Sequence, residues 1–132
     1  MVRTMIRHSL VVFAATLAAA PLVAQPALPP APAPRALTAD EHAALRCAAT
    51  FAIIAAQQTH GDPAAASYPP LAARGREFFV ITGARLIDDA GLDDAGVKAA
   101  AEAEAAGART QDNAAIMPFC LRLLDAEVPA QR

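Results

Sequence analysis

The side chains able to do chemistry are few. Beyond residue 24 the chain holds Cys47 and Cys120, two histidines (His42 and His60), one serine (Ser67) and one tyrosine (Tyr68). His60, Asp62 and Ser67 are the residue types of a nucleophilic triad, in which a base takes the serine proton and a carboxylate orients the base. All three lie within eight residues of one loop and no nucleophile elbow surrounds Ser67, so loop solvation is the preferred reading. His42 has Arg46 at i+4, where a metal face would need a second histidine or a carboxylate. Asp88, Asp89, Asp93 and Asp94 invite a calcium reading. Only a loop counted from Asp93 reaches a glutamate, Glu104, at its twelfth position, and Ala95 and Val97 would then stand where oxygen ligands belong. Helix capping accounts for these aspartates better, and no metal or other cofactor is expected.

How the cysteines behave depends on where the chain resides. Arg3 and Arg7 form a basic n-region, Leu10 to Ala20 an apolar h-region interrupted by Thr16, and Leu22-Val23-Ala24 a small-residue end before Gln25. This is the pattern of a secretory leader over residues 1–24, with cleavage after Ala24 and a periplasmic or secreted product. The apolar run falls short of the roughly 20 residues that span a bilayer. It contains no cysteine to carry a lipid, so no stable membrane anchor is expected after cleavage. Outside the reducing cytosol, Cys47 and Cys120 are expected to form a disulfide. A thioredoxin-like pair needs Cys-x-x-Cys, which the chain lacks; a metal pair and two buried free thiols are the other readings.

Charge bounds the partners. With Arg3 and Arg7 removed, 9 Lys and Arg face 13 Asp and Glu, a formal charge of about −4. That balance argues against nucleic acid or an anionic membrane face as the main partner. Residues 25–36, QPALPPAPAPRA, have no periodic pattern and read as a disordered Pro/Ala-rich linker in which no residue has a role. Residues 37–128 are left for one small domain.

The domain reads as helices. Thr38 with Glu41 three residues on is a capping-box spacing that starts a helix running to about Gln58, ahead of His60-Gly61-Asp62-Pro63. Cys47, Phe51, Ile54 and Gln58 share its core face. A second helix is expected from Leu71 to Ala90, although Phe78-Phe79-Val80-Ile81-Thr82 taken alone suits a strand. Gly75 and Gly83 weaken this helix unless they let a neighbour approach closely. Gly91, Leu92 and Asp93 make a corner: a left-handed C-terminal glycine, a hydrophobic residue and an N-cap. An alanine-rich helix follows, with a Lys98–Glu102 pair. Pro118 fits best at the first position of a short last helix, or else kinks a longer one. Arg74 with Glu77, Arg85 with Asp88 or Asp89, and Arg122 with Asp125 have the spacing of helix-surface pairs. The fold class is therefore all-α, a small bundle of about four helices whose first and last are linked by one disulfide.

The leader, the Pro/Ala spacer, Arg46-Cys47-Ala48 in a first helix and the Met117–Leu124 ending Met-Pro-x-Cys-x-x-Leu-Leu together resemble small periplasmic proteins of proteobacteria. The resemblance implies a helical, disulfide-closed periplasmic domain and brings no activity with it. A looser likeness is to the small acid-stress chaperones of the periplasm; here the cysteines are more widely separated and lysine is almost absent. The expected function is non-enzymatic: an interaction or envelope-stress module with a periplasmic protein partner. Its apolar groove would use Phe51, Phe78, Phe79 and Phe119 as anchors, for which plain core packing is the competing role. The alternative is a small hydrolase or ligand-binding protein with a site near His60, Asp62 and Ser67.

Overall fold

Three of the four helices begin where the chain supplies a side chain to cap them. In the computed structural model, which describes residues 33–130, Thr38 Oγ1 accepts the Glu41 N–H at 3.3 Å while Glu41 Oε2 accepts the Thr38 N–H at 2.7 Å. This capping box opens α1 (Ala39–Thr59). Asp93 caps α3 (Asp94–Ala108) through the Gly96 N–H at 2.8 Å, and Asp112 caps α4 (Asn113–Glu127) through the Ala114 N–H at 3.0 Å. The remaining helix, α2 (Ala72–Ala90), follows Leu71 with no side-chain cap. The described residues hold these four helices, one 3-10 turn over Ala65–Ser67 and no strand. The expected leader and residues 25–32 of the expected linker lie outside the described residues.

The strand reading of Phe78–Thr82 fails because the inward residues repeat at helical spacing. Gly75, Phe78, Thr82, Leu86 and Ala90 are buried along one stripe of α2. Gly91, at φ 69°, ends the helix in the left-handed region, and its N–H and that of Leu92 both donate to the Leu86 carbonyl. Pro118 does not start the last helix. α4 begins five residues earlier, and Pro118 sits inside it. The carbonyl that a residue-118 N–H would have bonded belongs to Ala114, an exposed residue of the first turn, so water can take the missing donor's place. Starting early lets Met117, Cys120, Leu124 and Val128 line up as a buried face.

Helix α1 is the hub, packing against the other three. On one side, Cys47, Phe51 and Ile54 join Leu71, Phe78, Met117, Cys120 and Leu124 in the main core. Phe51 and Phe78 meet edge to face with ring centroids 5.5 Å apart. Inside this core the Cys47–Cys120 disulfide ties α1 to α4, with Cα atoms 5.2 Å apart. A smaller cluster of Leu45, Leu86 and Val97 fixes α1, α2 and α3 near the Gly91 corner. Gly75 permits the α1–α2 contact: a Cβ there would lie 2.9 Å from Phe51 Cβ, closer than two carbons can approach.

Polar cross-links complete the frame, and several differ from the pairs that helical spacing suggested. Arg74 reaches Asp125 Oδ1 at 2.6 Å and the Val128 carbonyl at 3.1 Å rather than Glu77. Arg85 pairs with Glu127, not Asp88 or Asp89. Asp125 is thus held by Arg74 from α2, whereas the spacing matched it to Arg122. In each case α4 brings a carboxylate alongside α2, and at Arg74 the guanidinium also takes a carbonyl at the end of α4, where the helix dipole favours a cation. Lys98 and Glu102 do pair along α3. Gln58 closes the loop before α2: its amide donates to the carbonyls of Ala65, Tyr68 and Pro69 at 3.0 to 3.2 Å and accepts the Leu71 N–H at 3.2 Å.

Arg35 is part of this structure although its sequence neighbours read as linker. Its N–H donates to the Ala90 carbonyl at 3.0 Å, its Nε to the Asp89 carbonyl at 3.2 Å, and its guanidinium grips both Glu41 oxygens at 2.9 and 2.8 Å. That grip, with the Thr38 N–H, lowers the Glu41 pKa from 4.5 to about 2. The unfolded carboxyl binds its proton at higher pH than the folded one, so the stability contributed by Glu41 is present above about pH 5 and lost as pH falls towards 2. Urea titrations between pH 6 and 2.5 should show Glu41→Gln losing less stability over that interval than the parent. Parallel pH profiles would show that the Arg35–Glu41 clamp contributes nothing.

Candidate functional site

The triad weighed as the alternative reading of the loop does not assemble. Ser67 donates its hydroxyl to the Ala64 carbonyl at 2.7 Å, and Asp62 Oδ1 accepts the Ala64 N–H at 2.9 Å, so both shape the local turn. His60 is exposed and ends α1 through its own N–H to the Ala56 carbonyl at 3.1 Å. At the aspartate corner Asp93 is a cap, and among the described residues no group of three or more His, Cys, Asp or Glu is arranged to hold a metal ion.

The four phenylalanines named as groove anchors separate. Phe51 and Phe78 are buried to 0% and 1% exposure and make the aromatic centre of the core. Adjacent helical residues point about 100° apart, so burying Phe78 turns Phe79 to the surface, where it is 38% exposed. Phe119 is 47% exposed beside a different, smaller hollow of 350 Å³, with Ile116, His42 and Arg46 around it. No single surface carries all four.

Another surface does form a groove. Between α1, α2 and α3 lies an open trough of 780 Å³, within the range of small-molecule sites. Its α1 side is Leu45, Ala48, Ala49, Ala52, Ala55, Ala56 and Thr59; Leu71 and, from α2, Ala72, Gly75, Arg76 and Phe79 form a second side; α3 contributes Asp94, Val97, Lys98, Ala101, Glu102 and Ala105. Phe51, fully buried, lies beneath its floor. The small side chains make this hollow: a larger residue at each alanine would fill the space between the helices. Of the expected anchors, Phe79 is the one that stands on its wall. The alanines and Arg76 were not legible as site residues. The only signal was the repeat of Ala48, Ala52 and Ala56 at intervals of four beside the core face of α1.

The trough keeps its shape because α3 is clamped to the start of α1. Glu104 accepts from His42 Nδ1 at 2.8 Å and Arg46 Nε at 3.0 Å. Burial alone would raise the Glu104 pKa, but the two basic partners more than offset it, and the carboxyl lies below its ordinary value. One turn further along, at the last residue of α3, Asn113 Nδ2 donates to the Ala108 carbonyl at 3.0 Å while its Oδ1 accepts the buried Thr50 hydroxyl at 3.3 Å. These contacts join α1, α3 and α4 around one residue.

No protein-family model, curated protein or solved structure matches this chain. What the surface can do chemically follows from its own lining, which offers apolar contact along α1 and charged groups only on the α2 and α3 walls.

Proposed function

We propose that this chain is a non-enzymatic binding module that works outside the reducing cytosol, as an interaction or envelope-stress protein of the periplasm. The observation that carries this reading is the apolar trough on α1, α2 and α3. An open apolar hollow floored by small side chains, with charged groups only on its walls, has the form of a ligand site. The Cys47–Cys120 disulfide supports the location, because such bonds persist in oxidising compartments. No helix of the described residues is long and apolar enough to cross a membrane.

Binding of the uncharged fluorescent probe N-phenyl-1-naphthylamine tests it. The exposed residue Ala52 lines the trough, so Ala52→Phe fills the hollow without entering the core. The parent should bind the probe, and Ala52→Phe should weaken it at least tenfold, about 1.4 kcal/mol, with an unchanged melting temperature. A parent that leaves the probe dark, or equal binding by both proteins, would remove the trough as the site.

A further inference from the structure

Resting on the trough as the binding site, its occupant can be narrowed by asking which polar groups along it are free to recognise something. Thr59 donates its hydroxyl to the Ala55 carbonyl at 3.0 Å, and Lys98 is paired with Glu102. Arg76 lines the trough and makes no hydrogen bond or ion pair with any described residue. We propose that the trough takes a single-chain anionic amphiphile, its alkyl chain lying along α1 and its acidic head at the Arg76 guanidinium.

Shape and charge both support this class. The trough follows α1 from Leu45 to Thr59, a run of roughly 21 Å at 1.5 Å per residue, and is lined there by apolar groups apart from Thr59. A long apolar floor suits a linear chain. Arg76 offers a planar fork of N–H donors that matches a carboxylate, sulfate or phosphate head. Helices α1 and α2 run antiparallel, since Gly75 abuts Phe51 whereas Leu86 packs with Leu45. Helical side chains lean towards their own N-terminus. The Arg76 side chain therefore leans towards the end of the trough marked by Leu71 and Thr59. The acidic groups of the lining, Asp94 and Glu102, belong to α3. Asp94 lies near Val97 at the level of Leu45, about 9 Å along α1 from the level of Phe51 and Gly75, and Glu102 is neutralised by Lys98. A chain of net negative charge needs such a local cation to hold an anion.

The test compares decanoate with decanol, two ligands of equal chain length that differ in the charge of the head. Each displaces N-phenyl-1-naphthylamine from the oxidised protein at pH 8 and low salt. The parent should bind decanoate at least tenfold more tightly than decanol. Arg76→Glu should abolish that preference, weakening decanoate at least tenfold more than decanol; because Arg76 is exposed and without a partner among the described residues, the variant should keep the parent's circular dichroism and melting curve. Affinity should also rise two- to fourfold with each methylene from octanoate to dodecanoate. Equal binding of decanoate and decanol, or a decanoate affinity indifferent to Arg76→Glu, overturns the anionic head and leaves the apolar trough standing. Binding of neither ligand, with the probe itself unbound, overturns the trough along with it.

Discussion

Replacing both cysteines, Cys47→Ala with Cys120→Ala, should lower the melting temperature by about 20 °C. The bridge closes a loop of 73 residues, and removing it returns loop-closure entropy to the unfolded chain worth about 4 kcal/mol. A domain of this size loses roughly 4–8 °C for each kcal/mol. Both sulfur atoms lie in the core, so alanine also leaves a small void where α1 meets α4. Reductant added to the parent should produce a similar drop. Hydrogen exchange should show α4 loosening first, because its remaining polar ties to α2 are confined to Arg74, on Asp125 and the Val128 carbonyl, and the surface pair of Arg85 with Glu127. A melting temperature within 5 °C of the parent would mean that packing, not the bridge, holds α4 in place.

Phe51→Ala should cost about 4 kcal/mol, the other large effect. Phe51 is fully buried, lies edge to face on Phe78, and meets Gly75 where no Cβ would fit. The cavity cannot close easily, because α2 is fixed on either side of the contact: by the Gln58 cross-links at its start and by Leu86 with Leu45 further along. A double-mutant cycle with Phe78→Leu should return a coupling of about 1 kcal/mol, the part specific to the aromatic pair. Denaturant unfolding gives all four stabilities; strictly additive losses would reduce the pair to independent burial.

Much of the frame was legible because it depends on local chemistry. Thr38 and Glu41 lie three residues apart and bond each other as a capping box whatever surrounds them. Gly91 adopts a positive φ that its neighbours would resist, and Asp93 caps the helix that follows it. The spacing of Cys47, Phe51 and Ile54 placed a cysteine on the core face of α1, and a core cysteine in α4 met it. The start of α4 was misjudged because Pro118 is a strong local signal, and the burial of Met117 and Cys120 outweighed it.

The site was much less legible. A phenylalanine signals apolar contact without saying against what, and the chain alone could not tell Phe51, inside the core, from Phe79, on the wall of the trough. Arg35 looked like linker because its neighbours are proline and alanine; its partners Asp89 and Ala90 are more than 50 residues away. Arg74 and Arg85 likewise found carboxylates on α4 in place of those one turn along α2.

By itself the sequence determined that the domain is helical, the capped starts of α1 and α3, the Gly91 end of α2 and the inward face of α1, since capping, glycine conformation and apolar periodicity act between residues a few positions apart. Tertiary structure alone decided the trough, the cross-helix ion pairs and the exposure of Phe79. Each of these depends on how far three helices stand from one another. That spacing is set by contacts such as Gly75 against Phe51 and Val97 against Leu45, between residues distant in the chain, and no local pattern encodes it.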